Sequence, residues 1–258
     1  AIVFSSRVSF TLSMVYFFVK GGKLANPRGQ MKPLLASALP ITGMRTSSSL
    51  INTVISLILP ARLIAAGMTS SEAMSGIGVV MGMSMPVLSI PATLIGSLAL
   101  VMVPELAENF YRGNHKKLKD NIEKALKITS LIACAIIPVL FALGKDLGAL
   151  LFDNELCGQI IRNCCFMLLP TSISMITTSI LNSVGYEKQT CGYFFVGEAA
   201  TLLCTWFLPA YIGVYAQIAG MAASAVISCI LNLRLIVKKS KEKVCFLKHT
   251  LISAVSIL

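Results

Sequence analysis

Positive charge in this chain is concentrated in alternate gaps between long apolar stretches. Lys and Arg crowd into residues 20–32, residues 112–127 and residues 238–248, and Lys188 lies in a further short gap of the same parity. The gaps between these hold only three basic residues, Arg62, Lys145 and Arg162. Short basic loops stay on the cytoplasmic side of a membrane. The alternation therefore predicts a chain that crosses the membrane repeatedly, with the three basic segments in the cytoplasm.

The composition favours a multi-pass protein of the cell membrane. Hydrophobic residues make up 55% of the chain and charged residues 13%, whereas soluble domains carry about 25% charged residues. The net charge of +11 would suit nucleic-acid binding if it formed a stripe on a soluble surface. Because it flanks apolar stretches, we interpret it as an orientation signal that contacts anionic lipid headgroups. The lipid bilayer is an expected partner, and nucleic acid is not.

The apolar stretches predict an all-α bundle of transmembrane helices. About 20 apolar residues suffice for a helix to cross the hydrocarbon core. Seven stretches have approximately this length: residues 1–19, 34–66, 77–103, 128–152, 160–184, 190–212 and 216–237. Residues 246–258 are the start of an eighth. Both ends of the sequence fall within apolar helices, which predicts a fragment of a longer, transporter-sized protein.

The reactive residues do not predict an enzyme. The eight cysteines contain no C-x-x-C pair, and we interpret them as reduced, buried side chains. No metal and no cofactor is predicted. The best acidic pair, Glu105 and Glu108, is interpreted as neutralising neighbouring Lys-rich helix ends.

Prolines and small residues favour close-packed, kinked helices. Proline removes a backbone hydrogen bond, which lipid tolerates only where neighbours or a wet cavity compensate. Prolines lie within or beside most of the predicted spans, which favours a bundle that moves. Gly78 and Gly82 form a G-x-x-x-G pattern, and Gly220, Ser224 and Ser228 repeat the spacing. Such patterns allow helix backbones to approach one another.

Polar residues on the second stretch form the candidate binding site. Arg45 and Asn52 are seven residues apart and share a helical face, which Ser48, Ser49 and Ser56 extend. An arginine at membrane depth costs at least about 3 kcal/mol. It is therefore expected to face a wet cavity, a counter-ion or an anionic ligand. Alternatively, Arg45 extends to the cytoplasmic interface.

Two other ionisable residues complete the candidate site. Arg7 is the other deep cation, on the first stretch, and Glu198 on the sixth stretch is the deep acid that could balance Arg45.

Several motifs resemble a known group of membrane proteins. They are Gly67-Met-Thr-Ser-Ser-Glu-Ala-Met, Gly82-Met-Ser-Met-Pro, Val103-Pro-Glu-Leu-Ala-Glu, Arg112-Gly-Asn and Leu181-Asn-Ser-Val-Gly. Together they resemble the stage V sporulation protein B group of the multidrug, oligosaccharidyl-lipid and polysaccharide exporter superfamily. The resemblance implies two six-helix lobes, as in multidrug exporters of this superfamily, that face a central cavity.

Mapped on that plan, the chain is mainly a second lobe. Residues 1–20 resemble the last helix of the first lobe, and residues 21–33 a cytoplasmic linker between the lobes. Residues 34–237 resemble the six-helix second lobe, and residues 238–258 a cytoplasmic loop and the start of an extra helix. The rest of the first lobe is then an expected partner.

The resemblance implies a flippase for a lipid-linked oligosaccharide or peptidoglycan precursor, linked to spore cortex or cell-envelope polysaccharide synthesis. Arg45, Ser49, Asn52, Arg7 and Glu198 are the predicted substrate-binding residues, with the arginines suited to a pyrophosphate. Two alternatives stay open: a cation-coupled multidrug antiporter of the same fold, which would use Glu198, and a membrane enzyme of lipid-linked sugar metabolism.

Overall fold

A computed structural model describes residues 2–21 and 31–239. For residues 2–7, 9, 31–37, 40 and 239 it describes the backbone alone. Most of the predicted linker, residues 21–33, and nearly all of the predicted tail, residues 238–258, therefore lie outside the described residues.

The described residues form helices joined by short turns, with no strand among them. In order the helices are α1 (Ile2–Val19), α2 (Met31–Ala65), α3 (Ser70–Gly78), α4 (Met85–Tyr111), α5 (His115–Phe152), α6 (Glu155–Cys164), α7 (Leu168–Ser183), α8 (Glu187–Phe207), α9 (Pro209–Ile212) and α10 (Tyr215–Lys239). A π-helical turn, Val79–Ser84, joins α3 to α4, and a 3-10 turn, Cys165–Met167, joins α6 to α7. The predicted all-α fold is confirmed.

Five helical segments of the described chain are long and apolar enough to cross a membrane: Ile41–Ala65, Ser70–Tyr111, His115–Phe152, Glu155–Ser183 and Tyr215–Lys238. They correspond to five of the seven predicted spans, and several are longer because polar helical ends extend them. The α1 helix contributes a shorter apolar segment, Phe10–Val19. The α8 helix is 21 residues long but is not among the five, because polar residues such as Thr190, Glu198 and Thr201 interrupt its apolar sequence.

The chain divides into two units, residues 1–39 and 40–258. The first contains α1 and the beginning of α2. The second contains the remainder of α2 and every later helix that the structure describes.

Within the second unit the long helices alternate in direction. At one end, Arg62 on α2 reaches Trp206 on α8, with 2.9 Å between the Arg62 Nε and the Trp206 carbonyl oxygen. At the opposite end, the Asn121 amide on α5 donates to the Glu105 carboxylate on α4 at 2.9 Å. The second contact lies beside the basic segment 112–127, and the first lies at the end that is poor in basic residues. This arrangement matches the alternation of charge in the sequence.

Two buried apolar clusters hold the second unit together. One includes Leu63, Val80 and Ile160 toward the end that is poor in basic residues. The other includes Leu126 and Ile176 toward the basic end. Between helices in a membrane such clusters are stabilised by van der Waals packing and not by removal from water, because lipid tails are as apolar as these side chains.

Glycines allow the closest helix crossings. A Cβ on Gly148 of α5 would collide with the backbone of Gly158 on α6, and one on Gly197 of α8 would lie 2.5 Å from the Ser224 hydroxyl of α10. By contrast, Gly78 and Gly82 have nothing within 4 Å of such a Cβ. The expectation that this G-x-x-x-G pair brings helices together within the described chain is therefore wrong.

Candidate functional site

A cavity of about 370 Å³ opens among the helices of the second unit. Small-molecule sites commonly have volumes of about 300–1,000 Å³. Its walls come from α2, the π turn, α7, α8 and α10, and they include Met44, Asn52, Ile55, Met81, Met167, Thr171, Ser174, Thr178, Thr190, Tyr193, Phe194, Glu198, Thr201, Gln217, Met221, Ser224, Ala225, Ser228 and Asn232.

Helical spacing explains why polar groups share this space. On α10, Gln217, Ser224, Ser228 and Asn232 recur at intervals of seven, four and four residues, so they follow one face. On α8, Thr190, Glu198 and Thr201 follow one face in the same way. The two faces oppose each other because Gly197 and Gly220 let α8 and α10 approach closely. The cavity thus places a set of polar side chains on a wall that is otherwise mainly apolar.

The two irregular turns also contribute to the cavity. Met81 comes from the π turn Val79–Ser84, and Met167 from the 3-10 turn Cys165–Met167. Ser84, at the end of the π turn, is fully buried, and its hydroxyl lies 3.4 Å from the Cys157 sulfur on α6. Such turns within helices often occur at functional sites and hinges. They aim two flexible side chains into the cavity here.

Asn232 is the most buried polar residue of the cavity wall, with 1% of its surface exposed. Its amide nitrogen donates to the Thr178 hydroxyl at 2.8 Å and to the Thr177 hydroxyl at 3.2 Å. Its Oδ1 has no hydrogen-bond partner among the described residues. An unsatisfied buried acceptor costs about 1–3 kcal/mol. Asn232 is therefore held by its nitrogen, and its oxygen is a buried acceptor without a partner among the described residues.

Several cavity hydroxyls also present acceptors, because their protons are directed to helix carbonyls. Thr171 donates to the Met167 carbonyl at 2.7 Å, and Thr201 lies 3.2 Å from the Gly220 carbonyl oxygen. Thr190 lies 2.6 Å from the Asn182 side-chain oxygen. A hydroxyl that has donated its proton retains two acceptor lone pairs. With the Glu198 carboxylate, the wall is rich in acceptors.

Of the predicted site residues, the structure brings Asn52 and Glu198 together on this cavity. Arg45 and Ser49 are described but are exposed and do not line it. Arg45 directly follows Met44, a lining residue, so it lies near the cavity margin. Arg7 lies on α1 in the first unit, and its side chain is outside the described residues. Substrate-binding roles for all five residues stay predictions.

Sequence reasoning missed the polar residues of α7 and α10 that line the cavity, above all Asn232 and Gln217. Both are almost fully buried, and each interrupts an apolar helix. That signal was present in the sequence. Asn232 lies close to Arg234 and the basic segment that follows, however, so it reads as an interfacial residue until α10 is packed against α7.

The fold and the cavity define an all-α membrane protein with a cavity that carries several polar side chains. No family model and no solved structure matches the chain. Over 123 residues the chain is 26% identical to "Sporulation protein YkvU" of Bacillus subtilis (strain 168). The match covers 48% of this chain and 28% of that protein. The similarity supports a relation to a sporulation protein over about half of the chain, and the exporter superfamily stays a prediction.

Proposed function

We propose that the chain belongs to a flippase that moves a lipid-linked oligosaccharide or peptidoglycan precursor across the cell membrane. The observation that carries the proposal is a cavity with several polar side chains on its wall, among membrane-length apolar helices. The similarity to a sporulation protein supports a link to spore cortex or other cell-envelope polysaccharide synthesis. On this proposal the protein is a transporter and not an enzyme.

The physical problem that a flippase solves fits such a cavity. A sugar headgroup cannot enter hydrocarbon without losing its hydrogen bonds to water, at a cost of several kcal/mol for its polar groups. Amides and hydroxyls on the cavity wall replace those bonds. The lipid tail of the substrate remains in the bilayer, and the exposed apolar surfaces of the helices are compatible with it.

The proposed division into lobes gives the cavity its second wall. A transporter of this kind alternates access by moving one half against the other. We propose that residues 34–237 form one half, that a first lobe forms the other, and that the arginines act on the pyrophosphate. The chain alone is then expected to insert into a membrane but not to transport the lipid-linked substrate.

Reconstitution tests this function. The native protein that contains this sequence would be placed in proteoliposomes with a fluorescent lipid-linked oligosaccharide, and movement between leaflets followed by quenching from outside. Transport that depends on the protein supports the proposal. A native protein that is folded and correctly inserted but gives no faster movement than empty vesicles overturns it.

A cation-coupled multidrug antiporter is the second candidate, and Glu198 favours it. This carboxylate is half-buried, lines the cavity and forms no ion pair with any residue of the described chain. An antiporter would require its charge for coupling, so Glu198→Gln would abolish proton- or sodium-driven dye efflux. In a flippase the same change retains a hydrogen-bonding group and would reduce transport only partly.

A further inference from the structure

We propose that the cavity is a subsite for an uncharged sugar ring, and that Asn232 Oδ1 accepts a hydrogen bond from a sugar hydroxyl or acetamido N–H. The inference rests on the proposed function and specifies which part of the lipid-linked substrate this cavity holds. The pyrophosphate of the substrate is then placed outside the cavity that these lining residues form.

The charges of the wall argue against an anion. No Lys or Arg occurs among the described lining residues, whereas Glu198 supplies a carboxylate. The pyrophosphate of a lipid-linked sugar is fully ionised at neutral pH, so its oxygens only accept hydrogen bonds and are stabilised by cations and by N–H or O–H donors. A pyrophosphate in this cavity would face a carboxylate and a wall rich in acceptors. Arg45 lies beside the lining residue Met44, where an anionic group at the margin can be reached.

The hydrogen-bonding groups of the wall fit a sugar. Thr171, Thr190 and Thr201 line the cavity and direct their protons to protein oxygens, so their hydroxyl oxygens can only accept further hydrogen bonds. Sugar hydroxyls and an acetamido N–H are donors, so they complement this surface. A single hydrogen bond of this kind contributes little net free energy, so selectivity arises only when several are made together.

Asn232 is placed to accept a hydrogen bond from one donor group of the sugar. The bond to Thr177 fixes the orientation of the amide, because the Thr177 hydroxyl donates its own proton to the Ile173 carbonyl and can only accept from Asn232. The Oδ1 is thereby left as a buried acceptor. A ligand without a donor at this point leaves the oxygen unpaired, and sites of this kind reject such analogues strongly. Asn232 is therefore the residue expected to determine specificity.

Aromatic side chains complete the fit. Tyr193 and Phe194 lie on the wall and offer flat apolar surfaces that suit the C–H face of a pyranose ring. Apolar contact on one side and a small number of placed polar groups on the other is the usual composition of a small-molecule site.

Protection of a cavity cysteine from a maleimide tests the inference without requiring transport. Ser224→Cys would be made in a background whose eight cysteines are replaced, in the purified native protein. The probes are N-acetylglucosamine, glucose and inorganic pyrophosphate at matched ionic strength. At twice its dissociation constant a bound sugar slows modification about threefold, from the occupancy ratio 1 + [L]/Kd.

The expected result is protection by the sugars and none by pyrophosphate, with the strength of protection differing between N-acetylglucosamine and glucose. Asn232→Leu should abolish protection, while Asn109→Leu, on the α4 surface near the basic end, should leave it unchanged. Asn232→Asp retains an acceptor oxygen and should therefore retain part of the protection by the sugars. If Asn232→Leu does not fold, single deoxy-sugars on the unaltered wall report the same contact, since one of them should lose protection.

Two outcomes overturn the inference: protection by pyrophosphate equal to that by the sugars, or protection by no probe, which would indicate a cavity filled by water alone. These results are separable from failure of the flippase. Sugar protection without leaflet transfer leaves the subsite standing, and leaflet transfer without sugar protection leaves the flippase standing.

Discussion

The guanidinium carbon of Arg62 lies 4.8 Å from the centre of the Trp206 ring, and its Nε donates to the Trp206 carbonyl oxygen at 2.9 Å. The two residues occupy the last turns of α2 and α8. Ile55 on α2 and Thr201 on α8 line the cavity, so the contact lies about one to two turns beyond it on both helices. The pair therefore holds α2 and α8 together at the end of the cavity that is poor in basic residues.

Loss of this contact is expected to open that end of the cavity. Arg62→Ala removes a cation–π contact of about 0.5–1 kcal/mol and a hydrogen bond from a charged donor. A cysteine at Ser224 should then react several-fold faster with an impermeant maleimide applied from that side. Arg62→Lys retains the cation over the ring but loses the Nε bond, so its rate should be intermediate.

The fluorescence of Trp206 provides an independent measurement, because the chain contains one tryptophan. Its emission should shift in Arg62→Ala and stay unchanged in Arg112→Ala, which removes a surface ion pair with Glu108. Unchanged emission together with unchanged labelling in Arg62→Ala would show that the contact does not hold the helices.

The sequence was sufficient for the coarse fold because lipid imposes simple rules. The all-α class and the approximate bounds of five of the seven predicted spans follow from apolar length. Helix ends were less accurate, since polar extensions such as Lys116 to Lys127 continue α5 without a break. The α8 helix was predicted as an ordinary span, and its polar face became interpretable only once α10 was seen opposite it.

Helix packing was harder to predict, and the glycines show why. Gly220, Ser224 and Ser228 do lie at a close crossing, near Thr201 and Gly197. Gly78 and Gly82 have the same spacing but no neighbour within 4 Å. Spacing identifies a helix face that permits close approach, but it does not identify the helix that occupies it. The same limitation applies to Asn52, which lines the cavity, and to Ser49 one turn away, which does not, although both are exposed.

Gly148→Ala is expected to destabilise the crossing of α5 and α6. An added methyl at this position overlaps the backbone of Gly158, which cannot move as a flexible side chain can. Overpacking of this kind costs about 1–3 kcal/mol, which should lower the midpoint of thermal unfolding in detergent. Gly192→Ala, where nothing lies within 4 Å, is the matched control and should stabilise slightly through helix propensity. Equal midpoints for the two variants would contradict this packing.

Single cysteines at Thr69 and Asn114 should differ in their reaction with an impermeant reagent applied to intact cells. Both positions precede helices, α3 and α5, at opposite ends of the second unit. Asn114 borders the basic segment that is expected in the cytoplasm. Thr69 should be labelled and Asn114 should be labelled only after the cells are lysed. Labelling of Asn114 alone in intact cells would reverse the orientation.

Arg45 provides the test of the anionic part of the substrate. If it binds the pyrophosphate at the cavity margin, Arg45→Ala in the native protein should abolish transport while membrane insertion stays normal. Arg45→Lys should be partly active, because lysine retains the charge but loses the two-pronged geometry of the guanidinium. The loss should exceed that of Asn52→Ala, since a hydrogen bond to a charged group is worth about 1.5–3 kcal/mol and a neutral one about 1 kcal/mol. Leaflet transfer in vesicles, at protein levels matched by immunoblot, measures all three variants. Wild-type transfer by Arg45→Ala would instead indicate that the exposed side chain extends to the lipid interface and takes no part in binding.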